Sequence, residues 1–200
     1  MSFSERFPAK NNHQERLSEQ FAQLRERTHQ SMKIEEEMRL RENPKPSEEE
    51  LYMAAFKEWL EPQARDAIYE MYKKGYATLS SGFHGEDHDV QTIDGYFTID
   101  DATKAVLQQR GVEVLRGADI GLPKNELITM LRFRATDPSL DAIKDQWDAI
   151  AATLPNKSLP AGVRPISDGA EQFRARYAPE HPGLDEARGR YYEYLETLEH

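Results

Sequence analysis

The chain of 200 residues contains no cysteine. That absence excludes disulfides, zinc–thiolate sites, iron–sulfur clusters and thiol nucleophiles together, and it fits a reducing compartment. Long hydrophobic runs are missing too. No segment approaches the about 20 apolar residues that cross a bilayer, and Met1 to Arg6 lacks the apolar stretch of a signal peptide. There is no Walker phosphate loop, no Gly-x-Ser-x-Gly elbow and no dinucleotide fingerprint. Positive charge is in deficit, with 26 Lys and Arg against 36 Asp and Glu and a net charge of −10. Nucleic-acid affinity rests largely on neutralising phosphates, so such a chain starts at a disadvantage there. The local basic pairs Arg25/Arg27, Lys73/Lys74 and Arg132/Arg134 each stand among acids. These absences lead to the expectation of a cytoplasmic protein with neither a membrane nor a nucleic acid as partner.

The 38% hydrophobic fraction implies that part of the length is exposed helix and linker around a core of about 100–150 residues. Residues 1–46 form an N-terminal extension. His13 to Glu42 carries no proline or glycine and predicts one long helix, with Leu17, Phe21 and Leu24 at helical spacing, continuing through Thr28 and Met32 towards Met38. So narrow a stripe suits docking on another helix, or self-association, better than burial in a core. Asn43-Pro44-Lys45-Pro46 then reads as a linker.

Residues 47–154 predict the core domain. Ser47 to Glu50 is a capping box that opens a helix with Leu51, Tyr52, Ala55, Phe56, Trp59 and Leu60 on its apolar face. Pro62 starts a second helix, with Ala64, Ala67, Ile68 and Met71 inward and a stop at Lys73-Lys74-Gly75. A strand over Tyr76–Ser80, a polar loop over Ser80–Asp89, a turn at Asp94-Gly95 and a strand over Tyr96–Ile99 follow. Next come a helix capped by Asp100 or Asp101 and ending at Arg110-Gly111, then strands at Val112–Leu115 and Leu127–Phe133. Asp137-Pro138 opens the last core helix, whose apolar face runs from Leu140 through Trp147 to Leu154. This order predicts an α+β fold, a small mixed or antiparallel sheet covered by helices, with a ferredoxin-like split unit as one arrangement. Residues 155–197 read as an irregular Pro/Gly segment followed by short helices near 170–177 and 184–198, with Tyr191, Tyr192 and Tyr194 as a packing stripe. Residues 198–200 read as the remnant of a histidine tag.

The polar stretch Ser80–Asp89 is the one place where the sequence concentrates chemistry. His84, Glu86, His88 and Asp89 offer imidazole and carboxylate donors for a divalent metal, whose bound water would serve a hydrolase or transferase. Their spacing is not that of the helical His-Glu-x-x-His motif, so His181 or Asp94 would have to complete the set. Alternatively, Ser80, Ser81, Gly82 and Gly85 present hydroxyls and backbone N–H groups to an anion. Arg132 and Arg134, on one face of the long predicted strand, could pair with a carboxylate or phosphate. Against an anion stand Glu86, Asp87, Asp89 and Asp94, and a solvated acidic loop would show the same composition. The reading is a ligand- or partner-binding protein. Its candidate ligand-binding residues are Thr78, Ser80, Ser81, His84, Arg132 and Arg134, and no catalytic residue is assigned.

The run Ala67 to Gly82 contains Gly75-Tyr76-Ala77-Thr78 followed by Ser80-Ser81-Gly82. It resembles the tRNA wybutosine-synthesis methyltransferase-like family, in which a helix leads through a Gly-Tyr-x-Thr strand into a serine-rich loop near the active site. Gly82 stands where that family's loop continues with cysteine. The resemblance implies S-adenosylmethionine as cofactor, modification of an RNA base, and a pocket lined by Thr78, Ser80 and Ser81. The acidic balance of the chain runs against a tRNA substrate.

Overall fold

The computed structural model describes residues 12–42, 60–84, 87–121, 128–163, 165 and 183–198. Predictions for the linker, the helix opened by Ser47, the helix near 170–177 and the last two residues of the tag remnant lie outside these residues. Among the described residues the fold is α+β, five α-helices and a four-stranded sheet. Helix α1 spans Asn12–Glu42 and α2 spans Pro62–Lys73. Strands β1 (Ala77–His84) and β2 (Asp87–Tyr96) form a hairpin, followed by α3 (Asp101–Gln109), β3 (Glu113–Arg116) and β4 (Ile128–Arg134). Helices α4 (Leu140–Thr153) and α5 (Gly183–Thr197) complete it.

The strand order is β1-β2-β4-β3, and every neighbouring pair is antiparallel. The ferredoxin-like arrangement, in which a helix joins the first two strands and another strand separates them, is not adopted, because β1 and β2 form a hairpin. Two sequence expectations in the hairpin are corrected. Ser80 to His84 is strand rather than loop, and Asp94-Gly95 lies inside β2 rather than in a turn. Gly95 signals close backbone approach instead: a side chain there would collide with the carbonyl oxygen of Ala77 and stand 2.7 Å from the Thr78 Cα. Opposite it, Leu79 is an extra residue in β1, since Thr78 pairs with Gly95 and Ser80 with Asp94. The strand predicted over Tyr96–Ile99 ends at Tyr96.

Local chemistry accounts for the helix ends. Pro62 sits in the first turn of α2, and the helix closes through Lys74 into Gly75 at φ +93°. The Asp100 carboxylate caps α3 by accepting the Thr103 N–H at 2.7 Å, and the Ser139 hydroxyl caps α4 by accepting that of Ala142 at 3.1 Å. The Lys74 ammonium donates to the carbonyls of Ala151 and Leu154, both at 2.8 Å, joining α2 to the negative end of α4.

One sheet face carries Ile93, Val114, Leu131 and Phe133 into the main core, where they meet Ile68 and Met71 of α2 and Trp147 and Ile150 of α4. Phe21 and Leu24 of α1 belong to the same buried cluster, with Leu17 packed against it. The stripe expected to serve a partner is thus used inside this chain. Ile34 and Met38, farther along α1, are exposed. The opposite sheet face has two halves. Towards one end, Ala77 and Tyr96 pack against Tyr191, Leu195 and Tyr192 of α5. Towards the other, Arg132 and Arg134 lie on the face opposite Leu131 and Phe133, with Arg134, Glu113 and His84 exposed.

Candidate functional site

At the His84 end of the sheet the pairing of the two hairpin strands becomes irregular. Phe83 pairs with Gln91, yet the next β1 residue, His84, pairs with Asp87, so His88, Asp89 and Val90 have no β1 partner in the ladder. On its other side β2 stays bonded to β4 as far as this end. Val90 pairs with Arg134, and the Asp89 carbonyl accepts the Ala135 N–H at 2.7 Å. The gap is the head of a depression of about 310 Å3 lined by His84, Val90, Gly111, Glu113, Arg132, Phe133 and Arg134.

Three of the candidate residues from the sequence thus meet: His84, Arg132 and Arg134. Each arginine faces a carboxylate from a neighbouring strand. Arg132 donates from Nε to Glu113 at 2.8 Å and also through Nη2, and Arg134 pairs with Asp89. The partners follow from register, because Glu113 stands opposite Arg132 and Asp89 lies one residue from Val90, which stands opposite Arg134. Arg134 is exposed and Arg132 partly so, so neither pair is locked in a dry interior. Exposed pairs of this kind are worth about 0–1 kcal/mol each.

The remaining candidates lie elsewhere. Thr78 is buried, Ser81 is half-buried, and the exposed Ser80 donates its hydroxyl to Asp94 at 2.5 Å. None of the three lines the depression. Of the metal-ligand candidates, Glu86 and His181 lie outside the described residues. His84 and His88 flank the hairpin end, and the Asp89 carboxylate is engaged by Arg134. Among the described residues no group of three or more His, Asp or Glu is arranged to hold a metal ion.

A second polar node was not legible in the sequence. Glu61, just before α2, is held by three donors. His29 of α1 gives its Nε2 proton to Oε1 at 2.6 Å, Gln63 gives an amide proton to Oε2 at 2.6 Å, and the Phe83 N–H reaches Oε2 at 3.1 Å. With its amide nitrogen turned towards the carboxylate, Gln63 also approaches the Gln91 carbonyl oxygen at 3.4 Å. Both glutamines are fully buried, and Gln63 Oε1 and Gln91 Nε2 have no partner among the described residues. Glu61 and Gln63 are two residues apart, but His29 and Phe83 lie 32 and 22 positions from Glu61 and Gln91 lies 28 from Gln63, and only tertiary packing joins them.

Lys157 shows what burial does to a charge. Its ammonium donates to the Thr98 carbonyl at 2.8 Å and lies 4.8 Å from the centre of the Tyr76 ring. Burial pulls it down to about 8, with the Asp100 carboxylate acting in the opposite sense. Burial also pushes the Tyr76 hydroxyl up to about 12, with Asp100 adding to the effect. No helix among the described residues is long and apolar enough to cross a membrane. Set beside known proteins, the chain matches no family model, no curated protein and no solved structure.

Proposed function

We propose that this protein binds a small ligand bearing carboxylate or phosphate groups in the depression at the open end of its sheet. The observation that carries this reading is the convergence of His84, Arg132 and Arg134 on one concave surface. Arg132 and Arg134 are two positions apart on one strand face, about 7 Å along it. Each guanidinium can grip an oxyanion through paired N–H donors. Their present carboxylate partners, Glu113 and Asp89, form exposed pairs that are cheap to exchange. A ligand with two acidic groups replaces both at once, and His84 supplies a third polar contact. Glu113 and Asp89 repel an anion that does not engage the arginines, so the site favours ligands with matched spacing over inorganic salt.

The test is an NMR titration of the full chain with citrate and, separately, with inorganic phosphate, at constant ionic strength. The His84 ring and Arg132 and Arg134 Nε–H signals should move saturably with citrate and less with phosphate. Replacing both arginines with alanine should abolish the His84 response. Shifts that are linear in concentration, or that survive the double replacement, would refute anion binding at this site.

A further inference from the structure

We propose that Glu61 is the positioning residue of this anion site, tying the placement of His84 to the docking of α1. The inference rests on the reading of the depression as an anion site and adds to it a means of control. Glu61 touches three elements: it precedes α2, accepts from His29 of α1 and accepts from the Phe83 N–H of β1. Its side chain is 12% exposed and that of His29 is 43% exposed, so the carboxylate forms the inner part of the joint and the imidazole the outer part.

The contact with β1 falls at a weak point. β1 is an edge strand, and its pairing with β2 is interrupted by a bulge immediately after the Phe83–Gln91 pair. Three β2 residues, His88 to Val90, are skipped before His84 pairs with Asp87, and beside this irregularity the Glu61 carboxylate accepts the Phe83 N–H. Gly82 makes this approach possible. It has φ +117°, and a Cβ at that position would overlap the Glu61 carboxylate, with Oε1 at 2.8 Å and Oε2 closer still. On the other side, His29 holds the same carboxylate to α1, supported by the Arg65–Glu35 pair at 3.0 Å between α2 and α1. When α1 is docked, His29 fixes Glu61 and Glu61 fixes the end of β1. When α1 lifts, the carboxylate loses one of three donors and becomes free to turn to water, and His84 is less well held.

The chemistry of Glu61→Gln isolates the point. Three donors converge on the carboxylate, whereas an amide offers one acceptor oxygen and an NH2 group that opposes a donor. At least one of the three contacts must open. Citrate binding to the full chain is measured by calorimetry for wild type, Glu61→Gln, His29→Ala and the Arg132→Ala/Arg134→Ala double variant. The free-state His84 ring signal is recorded by NMR for each. Glu61→Gln is expected to weaken citrate binding roughly tenfold and to move the His84 signal before ligand is added, because a loosened site loses affinity steeply. His29→Ala, at an exposed position, should act in the same direction by a smaller factor. A purely structural role for Glu61 would lower the melting temperature and leave the His84 signal in place.

Wild-type citrate affinity and an unmoved His84 signal in folded Glu61→Gln overturn the positioning role while leaving the anion site standing. Should Glu61→Gln fail to fold, His29→Ala decides alone, and an unchanged signal and affinity overturn the proposal. Undiminished binding by the double arginine variant removes the anion site itself, and the positioning role with it.

Discussion

Replacing Gly95 with alanine drives a wedge into the hairpin that carries His84. The added Cβ stands 2.7 Å from the Thr78 Cα and closer still to the Ala77 carbonyl oxygen. Carbon atoms in contact settle at about 3.5–4.0 Å, so β1 must move away from β2 by about 1 Å. Both obstacles are backbone atoms of the paired strand, and no side-chain rotation relieves them. Overpacking costs about 1–3 kcal/mol in general, and a clash with backbone belongs at the upper end, about 3 kcal/mol. For a chain of this size that lowers the melting temperature by about 6–12 °C. Gly189→Ala is the matched control. Gly189 lies inside α5, and a Cβ there meets nothing within 4 Å among the described residues, so alanine should stabilise by about 0.5–1 kcal/mol. Urea unfolding followed by circular dichroism reads both variants. If Gly95→Ala stays within 0.5 kcal/mol of wild type, a cutoff of roughly the size expected for harmless surface changes, the inferred close approach of β1 and β2 is mistaken.

Gln91→Met should raise stability by about 1 kcal/mol, because removing a buried amide nitrogen with no partner outweighs losing the long 3.4 Å contact from Gln63, whose bond to Glu61 at 2.6 Å is untouched. A clear loss in urea unfolding would show that Gln91 is better satisfied than its geometry indicates. For Lys157, the folded chain releases its proton near 8 and the unfolded chain near 10.5. Between those values the unfolded state binds more protons, so the contribution of Lys157 raises stability as pH rises through the window. Lys157→Met should therefore flatten the difference between unfolding free energies at pH 7.5 and 9.5 relative to wild type. An identical pH dependence in the two proteins would count against a depressed lysine.

Much of the helical architecture could be read locally. Pro62, the Lys73-Lys74-Gly75 stop and the apolar faces through Ile68 and Trp147 mark α2 and α4 because helix ends and faces depend on residues within a few positions. The hairpin could not be read so directly. Ser80, Ser81 and Gly82 look like a loop by composition, yet they are strand because β2 supplies ladder partners that composition does not reveal. Asp94-Gly95 carries the signature of a turn, and the same glycine serves equally well where two backbones must touch.

The candidate site divides the same way. Sequence alone placed His84, Arg132 and Arg134 among six candidate ligand-binding residues, the arginines for a carboxylate or phosphate and His84 also as a metal ligand, since residue chemistry is local information. That Thr78, Ser80 and Ser81 stand apart from them, and that Glu113 and Asp89 face the arginines, depended on strand register. The Leu17–Phe21–Leu24 stripe declared an amphipathic helix without declaring what it covers. Only packing placed Phe21 and Leu24 in the core and His29 against Glu61. Periodicity records which side of an element is apolar. Which surface meets that side is decided when distant segments compete to bury it.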